Sequence, residues 1–131
     1  MPSAGMVSQR SRAADRWRSA DSMTSDFRWG TLVAATARAL RDSGECIVPF
    51  VDSEVIPPFD GSPNGIFVWF ICDSATTRDE FRARALPYAT GRLRTLVVEA
   101  GFPAAAAETV RTDVTSNEEI ESGGGRFNFF R

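Results

Sequence analysis

The run Ile66-Phe-Val-Trp-Phe-Ile-Cys72 sets seven apolar residues in an unbroken row, the longest such row in the chain. It is far too short to cross a membrane as a helix, which takes about 20 residues. It has the length of a strand, and a strand turns alternate side chains to opposite faces. An unbroken apolar strand therefore demands cover on both faces of its sheet. A second run, Glu45-Cys-Ile-Val-Pro-Phe-Val51, lies upstream and is also rich in β-branched and aromatic residues. Folded into a hairpin about Phe59, the two runs set Cys46 opposite Cys72, Val48 opposite Phe70 and Phe50 opposite Val68. One face then carries Cys46, Val48, Phe50, Ile66, Val68, Phe70 and Cys72, and the other Ile47, Pro49, Val51, Phe67, Trp69 and Ile71. Helices can cover one face, and a second copy of the chain is the natural cover for the other. Pro49 has no N–H to donate, which suits an edge strand or a bulge.

The flanking segments read as helices. From Ser25 or Asp26 as cap, Phe27, Thr31, Ala34, Ala35 and Ala39 recur at helical spacing, joined by Leu32, Val33 and Leu40. Gly44 follows Asp42-Ser43 and supplies a left-handed C-cap. Downstream, Thr77-Arg-Asp-Glu80 has the form of a capping box. An apolar stripe then runs through Phe81, Ala85, Ala89, Leu93 and Val97, with Pro87 expected to break or kink the helix. Ala100-Gly-Phe-Pro103 is a strong stop, with glycine at C′ and an apolar residue at C″. Val110, Thr112 and Val114 alternate with Arg111, Asp113 and Thr115, which predicts a one-sided strand. Ser116-Asn-Glu-Glu119 opens a short helical turn, and Arg126 to Arg131 reads as a final strand after Gly123-Gly-Gly125.

The expected fold is α+β: an antiparallel sheet of about four strands, with two main helices on one face, in the order α-β-β-α-β-(short α)-β. Written as a circle, that order is a permutation of the ferredoxin-like β-α-β-β-α-β arrangement. Residues 1–22, polar and Arg-rich, read as a disordered N-terminal tail, with a single domain over 23–131.

Composition narrows the chemistry. All 15 basic residues are arginine, and the chain has neither lysine nor histidine. With abundant alanine this reads as the codon bias of a GC-rich, bacterial genome. It excludes histidine acid–base catalysis, histidine metal sites, Schiff-base lysines and the P-loop lysine. A net charge of −2 gives no long-range pull on nucleic acid. Two cysteines and no apolar leader point to a reducing, cytoplasmic setting with no membrane attachment.

Several groupings merit inspection. Cys46 and Cys72 face each other in the hairpin register, and buried structural thiols are the simpler reading. Asp52, Glu54 and Asp60 share the loop between the first two strands, but their spacing fits no calcium loop. Gly123–Gly125 beside Arg126 offers backbone amides to an anion, yet phosphate loops precede helices and this one is expected to precede a strand. Arg78, Arg82, Arg84, Arg92 and Arg94 line one helical segment and suit either a phosphate stripe or a solvated face. Trp29, Trp69, Tyr88 and Phe130 are candidates to line a ligand pocket. The connection from Asp52 to Asn64 is long for a hairpin, stiffened by Pro57, Pro58 and Pro63, and carries Val55, Ile56 and Phe59.

No catalytic or metal-ligating set is expected, and no cofactor. The leading expectation is a non-enzymatic interaction domain, a homodimer through the two-sided hairpin, with Val55, Ile56, Phe59 and Trp69 as the candidate contact surface. The alternative is a domain or enzyme that binds an anionic or aromatic small molecule with arginine and carboxylate side chains. A toxin-neutralising immunity protein is one class with such a composition. Nucleic acid is a weaker expectation and rests on the basic tail alone.

Overall fold

The computed structural model describes residues 27–130. In chain order the elements are α1 (Arg28–Ser43), β1 (Asp52–Ile56), β2 (Phe67–Cys72), α2 (Ala75–Arg84), α3 (Leu86–Glu99), α4 (Ala104–Ala107), β3 (Arg111–Ser116), α5 (Asn117–Ser122) and α6 (Arg126–Phe129). The class is α+β. The tail 1–22 and the expected caps at Ser25 and Asp26 lie outside the described residues.

The sheet has three strands in the order β1-β2-β3 and is mixed, where four antiparallel strands and a ferredoxin-like order were expected. β1 runs antiparallel to β2, with Asp52 opposite Ile71, Glu54 opposite Trp69 and Ile56 opposite Phe67. β3 runs parallel to β2, from Phe67 opposite Arg111 to Cys72 opposite Ser116. Parallel neighbours require a crossover, and α2, α3 and α4 provide it. The expected fourth strand, Arg126 onward, is the short helix α6.

The hairpin register also differs. Pairing occupies the polar-looking Asp52-Ser-Glu-Val-Ile56, while most of the apolar run 45–51 stays out of the ladder. Val51 N–H donates to Ile71 O at 2.8 Å although Asp52 is the residue opposite Ile71. Two residues here face one, the count of a β-bulge, and side-chain parity changes at that point. Before it Val48 and Phe50 are buried; after it the odd-numbered Val55 packs on the core. The division into faces therefore survives the shift in register. Val48, Phe50, Ile66, Val68, Phe70 and Cys72 all lie in the core cluster, with Cys46 packed against it.

That core forms between the sheet and a layer of α1, α2 and α3. Val33, Ala37 and Leu40 come from α1, and Phe81, Ala85, Ala89, Leu93 and Val97 repeat every fourth residue through α2 and α3. Phe50, Phe70 and Phe81 meet at centroid distances of 4.8–5.8 Å, in edge-on or tilted contact. Pro87 separates α2 from α3 as expected, and in the first turn of α3 its missing N–H leaves no bond unmade. α2 begins earlier than the Thr77 box predicts: Ser74 is the N-cap and accepts from Thr77 N–H at 3.1 Å. Ser116 caps α5 as expected, accepting from Glu119 N–H at 3.1 Å. α3 closes with Phe102 N–H on Val97 O at 2.9 Å and Gly101 N–H on Val98 O at 3.0 Å, the paired bonds of a Schellman motif.

The second face of β2 is covered in part by the chain itself. Ile71 is fully buried there, Thr115 and Ile120 are buried, and Phe129 and Phe130 stack on Trp69 at 5.8 Å each. The demand for two-sided cover is met at this end by α5 and α6, without recourse to a second copy. Arginines finish the sheet margins. Along the free margin of β3, Val110 O just before the strand accepts from Arg94 at 2.6 Å and Val114 O within it accepts from Arg82 at 3.0 Å. On β1, Ser53 O accepts from Arg126 at 3.0 Å.

Candidate functional site

The four residues singled out in the sequence do not form one patch. Val55 is half-buried against the core side of the sheet. Ile56 and Trp69 lie on the opposite face, Ile56 across from Phe67 and Trp69 across from Glu54. Phe59 stands apart, at the tip of the connection to β2, and is fully exposed.

The segment that presents Phe59 is tied down along its length. Pro57 packs over Gly30 of α1, where an added Cβ would meet the proline ring at 3.3 Å. Gly61 N–H donates to Pro58 O at 3.2 Å and closes a turn around Phe59 and Asp60. Ser62 N–H donates to Asp60 Oδ1 at 3.0 Å and Asn64 N–H to Ser62 Oγ at 3.0 Å. Gly65 N–H donates to Thr109 Oγ1 at 2.9 Å and fixes the return into β2. A phenylalanine left in water forgoes roughly 1.5–3 kcal/mol of burial, and a proline-stiffened turn holds it there. Beside the base of this loop, Phe27, Gly30, Thr31, Ala34, Ser53, Glu54, Val55 and Pro57 line an open groove of 310 Å³. Phe27 is itself more than half exposed.

The other groupings resolve into internal ties. Cys46 and Cys72 are free thiols, and they are not cross-strand partners because Cys46 lies outside the ladder. Burial pushes the Cys72 thiol up to about 11 and also raises Cys46, so neither is a ready thiolate at neutral pH. Among the described residues no three metal-donor side chains converge. Asp60 is engaged with Ser62, while Asp52 and Glu54 project on one face of β1 and hold Arg126. Burial works to raise the Asp52 carboxyl, but Arg126 and the Ser53 N–H more than offset it, and Asp52 titrates below its ordinary range.

The arginine stripe is spoken for. Arg78 bonds Asp79 and Glu119, Arg82 bonds Asp113 and Val114 O, Arg84 pairs with Glu80, Arg92 with Glu45, and Arg94 holds Val110 O. Gly123–Gly125 opens into α6, with φ of 92° at Gly124 and 91° at Gly125, and Arg126 turns to the β1 carboxylates and not to the glycine amides. Of the aromatic candidates, Trp69 and Phe130 come together at 5.8 Å, whereas Trp29 packs on Phe102 and Tyr88 donates to Glu45 Oε1 at 2.8 Å, so the four line no common pocket.

Two clusters escaped the sequence reading. In one, Glu45 accepts from Arg92 and Tyr88, both at 2.8 Å, and these bonds, Arg92 first, hold its carboxyl below the usual range. Tyr88 and Arg92 are one helical turn apart, which is visible in the sequence, but Glu45 arrives from a distant loop. In the other, Arg126 makes four hydrogen bonds to β1, more than 70 residues away along the chain. No local pattern signals either.

Among the described residues no helix is long and apolar enough to cross a membrane. Comparison with protein-family models, with curated proteins and with solved structures finds no match for this chain.

Proposed function

We propose that this chain is a protein-interaction domain that works without catalysis, and that Phe59 is the anchor of its contact. The observation that carries this reading is the full exposure of Phe59 on a turn that proline and three side-chain hydrogen bonds hold in place. An aromatic ring presented with little conformational freedom loses little entropy on docking, and rings of this kind dominate interface energies. The partner it fits best is a second copy. Pro57 belongs both to the Phe59 loop and to the lining of the adjacent groove, so anchor and receptor lie side by side on one edge. That adjacency suits a two-fold contact, in which each copy offers its ring and receives the other's.

Sedimentation velocity at micromolar concentration tests it. The unaltered chain is expected to sediment as a dimer and Phe59→Ser as a monomer with an unchanged melting temperature. A chain that stays monomeric throughout that range sinks the homodimer reading. A dimer indifferent to Phe59→Ser moves the contact elsewhere.

A further inference from the structure

We infer that α6 is a releasable lid, and that the face beneath it is a recognition site for a peptide with the chemistry of α6 itself. That chemistry is an arginine followed, within one helical turn, by two aromatic rings. The reading goes beyond the Phe59 contact and does not depend on it.

The site has two halves. One is anionic: Asp52 and Glu54 project together from β1 and take the guanidinium of Arg126 at 2.7–2.9 Å, with Ser53 O as a further acceptor at 3.0 Å. The other is aromatic. Trp69 lies across from Glu54 and beside Phe67, and receives Phe129 edge-on and Phe130 tilted, both at 5.8 Å. Arg126, Phe129 and Phe130 stand at i, i+3 and i+4, so a single turn of helix delivers all three groups to one side. The segment behaves as a ligand that happens to be tethered.

Its hold is of a kind that opens. α6 has four residues, none of them buried, and no side chain caps its N-terminus. Besides the docking, only local bonds to the preceding turn hold it, Gly125 N–H on Ile120 O at 2.9 Å and Asn128 Nδ2 on Gly124 O at 3.0 Å among them. The ion pairs that fasten it are half-exposed, with Arg126 at 42%, Asp52 at 45% and Glu54 at 35%, and salt reaches and screens such pairs. Gly123-Gly124-Gly125 joins it to α5, and the positive φ of Gly124 and Gly125 is a conformation glycine adopts and leaves freely. A tether of this length confers an effective concentration on the order of millimolar, which a free peptide must overcome. Charge selects the occupant. The acidic pair refuses an anionic or neutral segment, and the tryptophan face rewards rings over aliphatic side chains.

The test follows the Trp69 indole signal by heteronuclear NMR in the full-length chain, with the acetylated peptide Gly-Arg-Phe-Asn-Phe-Phe-Arg as the probe. In Arg126→Ala the signal is expected to move while the rest of the spectrum stays native, and added peptide is expected to return it. That variant binds the peptide roughly tenfold more tightly than the unaltered chain, because the tethered competitor is weakened. Adding Asp52→Asn and Glu54→Gln to Arg126→Ala abolishes the return, whereas Phe59→Ser leaves peptide binding as it was. A Trp69 signal unmoved in Arg126→Ala overturns the proposal, as does one that moves but ignores the peptide. If Arg126→Ala does not fold, a sodium chloride titration of the unaltered chain decides: a Trp69 signal that moves with salt supports release, and one that does not refutes it.

Discussion

Glu119 carries more of the local order than its exposed position suggests. Its Oε1 accepts from Thr115 Oγ1 and from Arg78 Nη1, both at 2.7 Å, and its own N–H closes the Ser116 cap. Thr115 is fully buried, and Glu119 is the acceptor that satisfies its hydroxyl. The Thr115 bond, aided by Arg78 and opposed by burial, lowers the Glu119 pKa. A carboxyl depressed in the folded state contributes stability that is fully present above its unfolded pKa, about 4.3, and is lost as pH falls through the lower folded value. Glu119→Gln is therefore expected to lower the urea midpoint at neutral pH and to converge with the unaltered chain as pH falls below the folded value. Parallel midpoints across that window contradict the assignment. At Cys72 the environment acts the other way, and a buried thiol with a raised pKa serves as a small apolar side chain in the core.

At the scale of elements, helix stops were legible and strand pairings were not. Gly44 and Gly101 mark their stops because a left-handed residue is a local requirement that glycine meets. Gly101 has φ of 110° and nothing within 4 Å of an added Cβ, so Gly101→Ala tests backbone conformation alone. It is expected to cost about 1–2 kcal/mol in urea unfolding, and a neutral substitution would remove the conformational argument. Pro87 and Ser116 were equally readable. β1 was not, because Asp52-Ser-Glu-Val-Ile56 looks like a loop until Arg126 neutralises its two carboxylates. α6 was misread for the complementary reason. Phe127, Phe129 and Phe130 have strand propensity, but the partner for two of the rings is a face of the sheet and not a sheet edge.

For the whole molecule, the unbroken apolar run of β2 foretold burial on both faces, and that holds at its Ile71 end, where the chain folds its own C-terminal helices over the sheet. The place of Phe59 at the tip of an exposed turn was readable because prolines and glycine frame it. The grouping of Asp52, Glu54, Trp69 and Arg126 was hidden, since it depends on a register that a bulge at Val51–Asp52 displaces. The arginines along the sheet margins bear on a different matter, the behaviour of many copies together. Unoccupied strand margins are templates on which further chains add and fibrils grow. Here Arg94 and Arg82 already occupy outward carbonyls at the start of β3 and within it, Val110 O and Val114 O, so an incoming strand must first strip two guanidinium groups from the molecule. Arg82→Met with Arg94→Met is expected to shorten the lag before thioflavin-positive aggregation at equal protein concentration, and an unchanged lag would deny the arginines that part. Without lysine, the charge that ordinarily repels a neighbouring chain has been replaced by one that sits in its place.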